Sequence, residues 1–248
     1  LANKGAVDVE SGFVSLSIEE DYMEVVSWDL DDVPIEQIGG GAKALSFSLA
    51  GKSDAQPFGQ EEEASLSIRA KALDPQSVTH TSTITLTACY PYETEASATV
   101  CIDTDIYNKR PIEPVCNAEP VALSGGQGGP VAVTNVDVKM LPRPDSIVPQ
   151  FIITFSNVGK GVIVNQESIQ KACSSQGLEL NDWNVGKIED LRFSRFSLKN
   201  GHFTCSSHTL KFRDNKAILR CTLKPGLLDR STSSFETPLA IVFSHGYT

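Results

Sequence analysis

Two short runs in this sequence spell nucleotide chemistry. Leu123-Ser124-Gly125-Gly126-Gln127 reads as the signature loop of ABC-type ATPases, and Gly51-Lys52-Ser53 as the end of a phosphate-binding loop. A phosphate cradle needs a glycine five residues before Gly51, where Ser46 stands, and a following helix whose N–H groups face the nucleotide. Both runs lead instead into strand-like alternation, the Leu-Ser-Gly-Gly-Gln run past Pro130. The context argues against nucleotide binding.

His202, Cys205 and His208 are three soft ligands, but a spacing of three along a strand puts consecutive ones on opposite faces, and a disulfide would consume Cys205. Only His80 and His245 remain, with no G-x-S-x-G elbow, so a hydrolase triad lacks support. Carboxylates run together at Glu19-Glu20-Asp21, Asp29-Leu30-Asp31-Asp32, Glu61-Glu62-Glu63 and Asp103-Thr104-Asp105. Hard oxygen ligands at loop ends suit a structural calcium, although EF-hand spacing is absent and a charge run more often makes a solvated face. A glycosidase pair could hide among them, yet sugar platforms are few: Trp28, Trp183 and five Tyr. No catalytic residue, metal ligand or cofactor-binding residue is assigned from these patterns, and no N-x-S/T glycosylation site occurs.

The six cysteines, Cys89, Cys101, Cys116, Cys173, Cys205 and Cys221, contain no C-x-x-C pair. An even count without close spacing reads as disulfides in an oxidising compartment. Cys89 shares a strand face with Thr83, Thr85 and Thr87, and Cys101 with Ser97 and Thr99. A turn near Glu95 would set the two cysteines opposite each other, which predicts a Cys89–Cys101 bridge. Cys205 and Cys221 flank a second hairpin that turns at Asp214-Asn215 and pair by the same logic. Cys116 and Cys173 are left to each other.

The elements that must position these residues are strands. Period-two alternation marks 13–18, 22–28, 44–50, 64–70, 82–90, 96–102, 131–139, 151–157, 161–165, 209–212, 217–223 and 239–244. Turn signals separate them, among them Gly39-Gly40-Gly41, Asp74-Pro75 and Lys224-Pro225-Gly226. Only 166–174 reads as a short helix. The pattern lapses between Asp103 and Pro130 into Pro111, Pro114, Pro120 and a glycine-rich stretch. The expected fold is all-β: two tandem Ig-like β-sandwich domains stabilised by disulfides, an acidic one over 1–112 and a second over 131–248, joined by a Pro/Gly-rich linker over 113–130.

The formal charge is −10, from 31 acidic and 21 basic residues in 248. That balance argues against binding by phosphate neutralisation, and no apolar run approaches the ~18 residues a membrane span needs. The charge is uneven. Residues 1–63 hold 14 acidic and 3 basic side chains, whereas 187–230 hold 10 basic and 4 acidic. The chain opens at Leu1, without Met or leader pattern, as expected of a processed chain or a fragment.

The run Ala88-Cys89-Tyr90-Pro91-Tyr92-Glu93-Thr94-Glu95-Ala96-Ser97-Ala98-Thr99-Val100-Cys101-Ile102-Asp103, with Ser124 to Thr134 and Phe155-Ser156-Asn157-Val158-Gly159-Lys160-Gly161, resembles a family of uncharacterised secreted archaeal proteins with two β-sandwich domains. The second half also resembles the Ig-like modules of archaeal cell surfaces. The resemblance implies an extracellular setting and a fold, and brings no activity or catalytic residue. Neither expected cysteine pair encloses the core Trp of a true immunoglobulin domain.

These features together predict a non-enzymatic extracellular subunit whose partners are copies of itself, assembled head to tail into a filament or surface layer. Phe13, Val14, Leu16 and Ile18 on the first strand are the expected assembly residues, by donation to a neighbour's open sheet edge. An adhesion module would use Trp28 beside Asp29, Asp31 and Asp32. A secreted hydrolase would need a pocket gathering two carboxylates.

Overall fold

Apolar and polar residues alternate through most of the chain, and strands accordingly hold 53% of it against 4% helix, which makes the fold all-β. The computed structural model describes residues 1–30, 36–38, 42–73, 75–107, 109, 111, 113–124, 127–144, 146–174, 177–229 and 231–248. The turn at Gly39 to Gly41, Asp74, Gly125 and Gly126 lie outside the described residues, as do Asp31 and Asp32.

In chain order the strands are β1 (Val9–Ser17), β2 (Met23–Leu30), β3 (Glu36–Ile38), β4 (Ala42–Leu49), β5 (Ala64–Ala70), β6 (Thr85–Ile102), β7 (Val121–Ala122), β8 (Val131–Pro142), β9 (Ile147–Asn157) and β10 (Ile163–Val164). A 3-10 turn, Gln166–Ser168, then leads into α1 (Ile169–Cys173). The rest are β11 (Val185–Phe193), β12 (Phe196–Ser197), β13 (Phe203–Cys205), β14 (Thr209–Lys211), β15 (Lys216–Leu223) and β16 (Phe235–Tyr247).

The chain divides into two units, one of 1–92, 161–183 and 245–248, the other of 93–160 and 184–244. The expected contiguous division at 113–130 differs from this, because β6 and β16 are long enough to serve both units and the short helix belongs with the first.

In the first unit β1 lies between β4 and β6, antiparallel to both, and β3 extends the sheet beyond β4. Successive side chains of a strand point to opposite faces, so two apolar layers form. Val14, Leu45, Phe47, Leu49 and Tyr92 face a ribbon made of β2 and β5, whose Trp28, Val25 and Leu66 pack against them. Ala44 and Cys89, on the opposite parity, meet Val164, Ile169 and Cys173 around α1. Gly12 leaves room for the Phe47 ring: a Cβ there would stand 2.2 Å from the ring.

In the second unit β13, β15, β9, β8 and β7 form a five-stranded sheet in that order. Its inward residues, Phe151, Ile153 and Phe155, are fully buried, as are Leu191, Phe193 and Phe243 of the sheet that carries β11 and β16. Phe151 packs on Phe193 at 5.1 Å and Phe155 on Phe243 at 4.8 Å, so aromatic pairs fill the space between two sheets. β14 and β15 turn through Asp214 and Asn215, both at positive φ, the conformation a two-residue hairpin loop requires.

The three disulfides join Cys89 to Cys173, Cys101 to Cys116 and Cys205 to Cys221. The last is the expected pair, set directly opposite in the β13–β15 register. The expected Cys89–Cys101 and Cys116–Cys173 bridges do not form. β6 runs unbroken through Glu95, with Thr94, Ala96, Ala98 and Val100 inward and Glu95, Ser97 and Thr99 outward. Twelve residues of extended strand separate Cys89 from Cys101 by roughly 40 Å, against the ~6 Å between Cα atoms that a disulfide spans.

Candidate assembly surfaces

β1 is not an unfilled edge. Val14 pairs with Leu45 on one side and Ala88 on the other, and Phe13 with Ser46 and Cys89. Val14 is buried, Phe13, Leu16 and Ile18 are half-buried, and Leu16 packs against the core shared with Trp28. The backbone groups a donated strand would offer are already satisfied by β4 and β6, which corrects the donation mechanism. Leu16 and Ile18 do border an open groove of about 620 Å³ with Met23, Lys43 and Lys71.

The proposed adhesion platform is also corrected. Trp28 is 2% exposed and serves as a core residue under β5. Asp29 alone of its expected acidic partners is described, and it is exposed.

The carboxylate runs are separated by their local partners. Glu19 accepts from the His80 ring at 2.8 Å, and that bond, with help from Ser82, lowers its pKa. Glu24 pairs with Arg69 at 2.7 Å across the β2–β5 ribbon. Asp103 accepts from the Asp105 N–H, and Asp105 from the Lys109 N–H. These last two border a recess of about 790 Å³ that also receives Glu113 and Glu119, beside the Cys101–Cys116 bridge. Among the described residues no group of three or more His, Cys, Asp or Glu is arranged to hold a metal ion.

The remaining motifs have structural work. Gln127, last residue of the Leu-Ser-Gly-Gly-Gln run, donates from Nε2 to the Val133 carbonyl at 2.6 Å and accepts at Oε1 from the Val133 N–H at 2.8 Å. Its side-chain amide thus caps the edge of β8 as a neighbouring strand would. Cys205 is committed to its disulfide, and His202 accepts from the Ser197 N–H at Nδ1.

Charge follows the units. The first carries 18 acidic and 6 basic residues, net −12; the second carries 13 and 15, net +2. Within the second, Lys216, Ile218 and Arg220 project from the outward side of β15, since Ala217, Leu219 and Cys221 take the inward side. They stand opposite Ser156, Thr154 and Ile152 of β9. Within the first, Phe58 is 82% exposed on a turn held by reciprocal Ser53 and Gln56 backbone bonds. Glu61 and Glu63 follow it, both exposed, on a segment where Ala2 bridges Glu61. Sequence reasoning missed Phe58, because a lone aromatic between turn residues carries no periodic signal.

No protein-family model matches the chain, and no curated protein or solved structure matches it. The fold and site define an all-β, disulfide-braced protein. Three disulfides fit an oxidising, extracellular-type environment, and no helix among the described residues is long and apolar enough to cross a membrane.

Proposed function

We propose that this chain is an extracellular structural subunit, related to the Ig-like surface proteins it resembles, that joins copies of itself head to tail into a filament or surface layer. The segregation of charge between its two units carries this reading. Surfaces of unlike charge dock unlike to unlike, and a heterologous contact that does not close repeats into a fibre. Like-to-like docking is suppressed by the same field. Surface docking supplies the contact, and β1 stays in its own sheet. The test is sedimentation and negative-stain imaging of the purified chain across ionic strength. Polymers that dissociate between about 0.05 and 0.5 M salt support the reading, since screening falls to a few Å in that range. A monomer at all salt concentrations overturns it.

A second reading rests on the recess bordered by Asp103, Asp105, Glu113 and Glu119, a gathering of carboxylates that a secreted hydrolase would need. Turnover of a glycan panel that is lost in Asp103→Asn or Glu113→Gln would favour it over the structural role.

A further inference from the structure

We infer that the outward side of β15 is the face on which the Phe58 loop of a second copy docks. The inference rests on the head-to-tail reading and names its contact. The basic face has an apolar centre, Ile218, half exposed between Lys216 and Arg220, with Thr154 opposite it on β9 and Ile152 opposite Arg220. Asp137, opposite Ile152 on β8, is already engaged by Lys139 at 2.9 Å, and among the described residues neither Lys216 nor Arg220 has an ion-pair partner. The loop is its complement: an aromatic ring displayed on a hydrogen-bonded turn, followed by Glu61 and Glu63.

The Ser53–Gln56 pair of backbone bonds, the Gly59 to Gln56 bond and the Asn3 to Gln60 bond hold the loop, so little ordering entropy remains to be lost on docking. An exposed aromatic that becomes buried in a central position is the usual anchor of an interface, with charges at the rim setting orientation. Because the loop and the face are different surfaces of the same molecule, a docked pair keeps one loop and one face unfilled. Further copies can therefore add at either free surface.

The experiment uses the full chain and two exposed substitutions, Phe58→Ala and Arg220→Glu, with near-ultraviolet circular dichroism confirming the fold of each. Either variant alone is expected to need at least tenfold more protein to assemble than the parent. Mixed in equal amounts they are expected to form one-to-one dimers and nothing longer, since Phe58→Ala retains a sound face and Arg220→Glu a sound loop. Lys216 in place of Arg220 supplies a second variant, Lys216→Glu, with the same expected outcome. If the parent polymerises and the variants do so equally well, the docking contact is overturned while the structural role stands. If the mixture yields no dimer, the contact is likewise overturned. A parent that stays monomeric overturns both.

Discussion

The His245 ring lies 6.1 Å from the Tyr92 ring, centroid to centroid, and is fully shielded from solvent. Burial disfavours the imidazolium and holds the His245 pKa at about 3, against an ordinary 6.5. The unfolded chain takes up this proton below pH 6.5, while the folded one does so only near pH 3. Stability should therefore fall as pH drops through that window, by up to about 1.4 kcal/mol per unit. Urea midpoints measured from pH 7 to pH 4 check this. His245→Phe should flatten the profile over that range, and an unchanged slope in the variant would count against the assignment.

The disulfides should differ in worth according to the loops they close. Cys89–Cys173 spans 84 residues, whereas Cys101–Cys116 and Cys205–Cys221 span 15 and 16. Loop-closure entropy gives roughly 4 to 5 kcal/mol for the first and about 3 for each of the others. Paired Cys→Ala variants, unfolded in urea, should show the Cys89/Cys173 pair as the most costly. The reverse order would mean that residual structure in the unfolded chain, and not closure entropy, dominates.

Two glycines hold positions that a phenylalanine ring covers. A Cβ at Gly12 would lie 2.2 Å from Phe47, and one at Gly186 the same distance from Phe243. Gly12→Ala and Gly186→Ala should each cost about 1 to 3 kcal/mol through forced repacking. Adding Phe47→Leu to Gly12→Ala should recover part of the loss. A neutral Gly12→Ala in thermal unfolding would show that the ring moves aside freely.

Removing the Gln127 side chain should expose an unsatisfied Val133 N–H and carbonyl at the edge of β8. Gln127→Ala is expected to destabilise by roughly 1 to 3 kcal/mol and to speed amide exchange at Val133. Exchange at Val133 that matches the parent would remove the capping role.

Where alternation was strict, the strands could be read from the residues themselves. The 64–70 expectation coincides with β5, and the 166–174 helix with the turn and α1. Cys205–Cys221 was legible from the spacing around the Asp214-Asn215 turn, although β13 and not β14 is the strand that pairs with β15 and sets the bridge, while β14 lies on β11. The first disulfide did not. Pro91, Glu93 and Glu95 look like a turn locally, yet the inward row from Tyr92 to Val100 keeps β6 extended, since burial on one face outweighs the turn preference of its neighbours. β11 was overlooked because its consecutive buried pairs, Val185-Gly186 and Asp190-Leu191, interrupt a simple alternation. Trp28 looked exposed because it sits beside Asp29, although a bulge between Val25 and Ser27 turns its side chain inward.

The acidic unit draws on 1–92 and also on 245–248, so its earliest and latest residues must be present together before it can close. During synthesis, β1 to β4 would leave the ribosome long before Tyr247 arrives to lie beside Ile163 and Tyr90. Until β16 is made, β6 would keep the edge that β16 covers unpaired, and an unpaired strand edge is a template for aggregation.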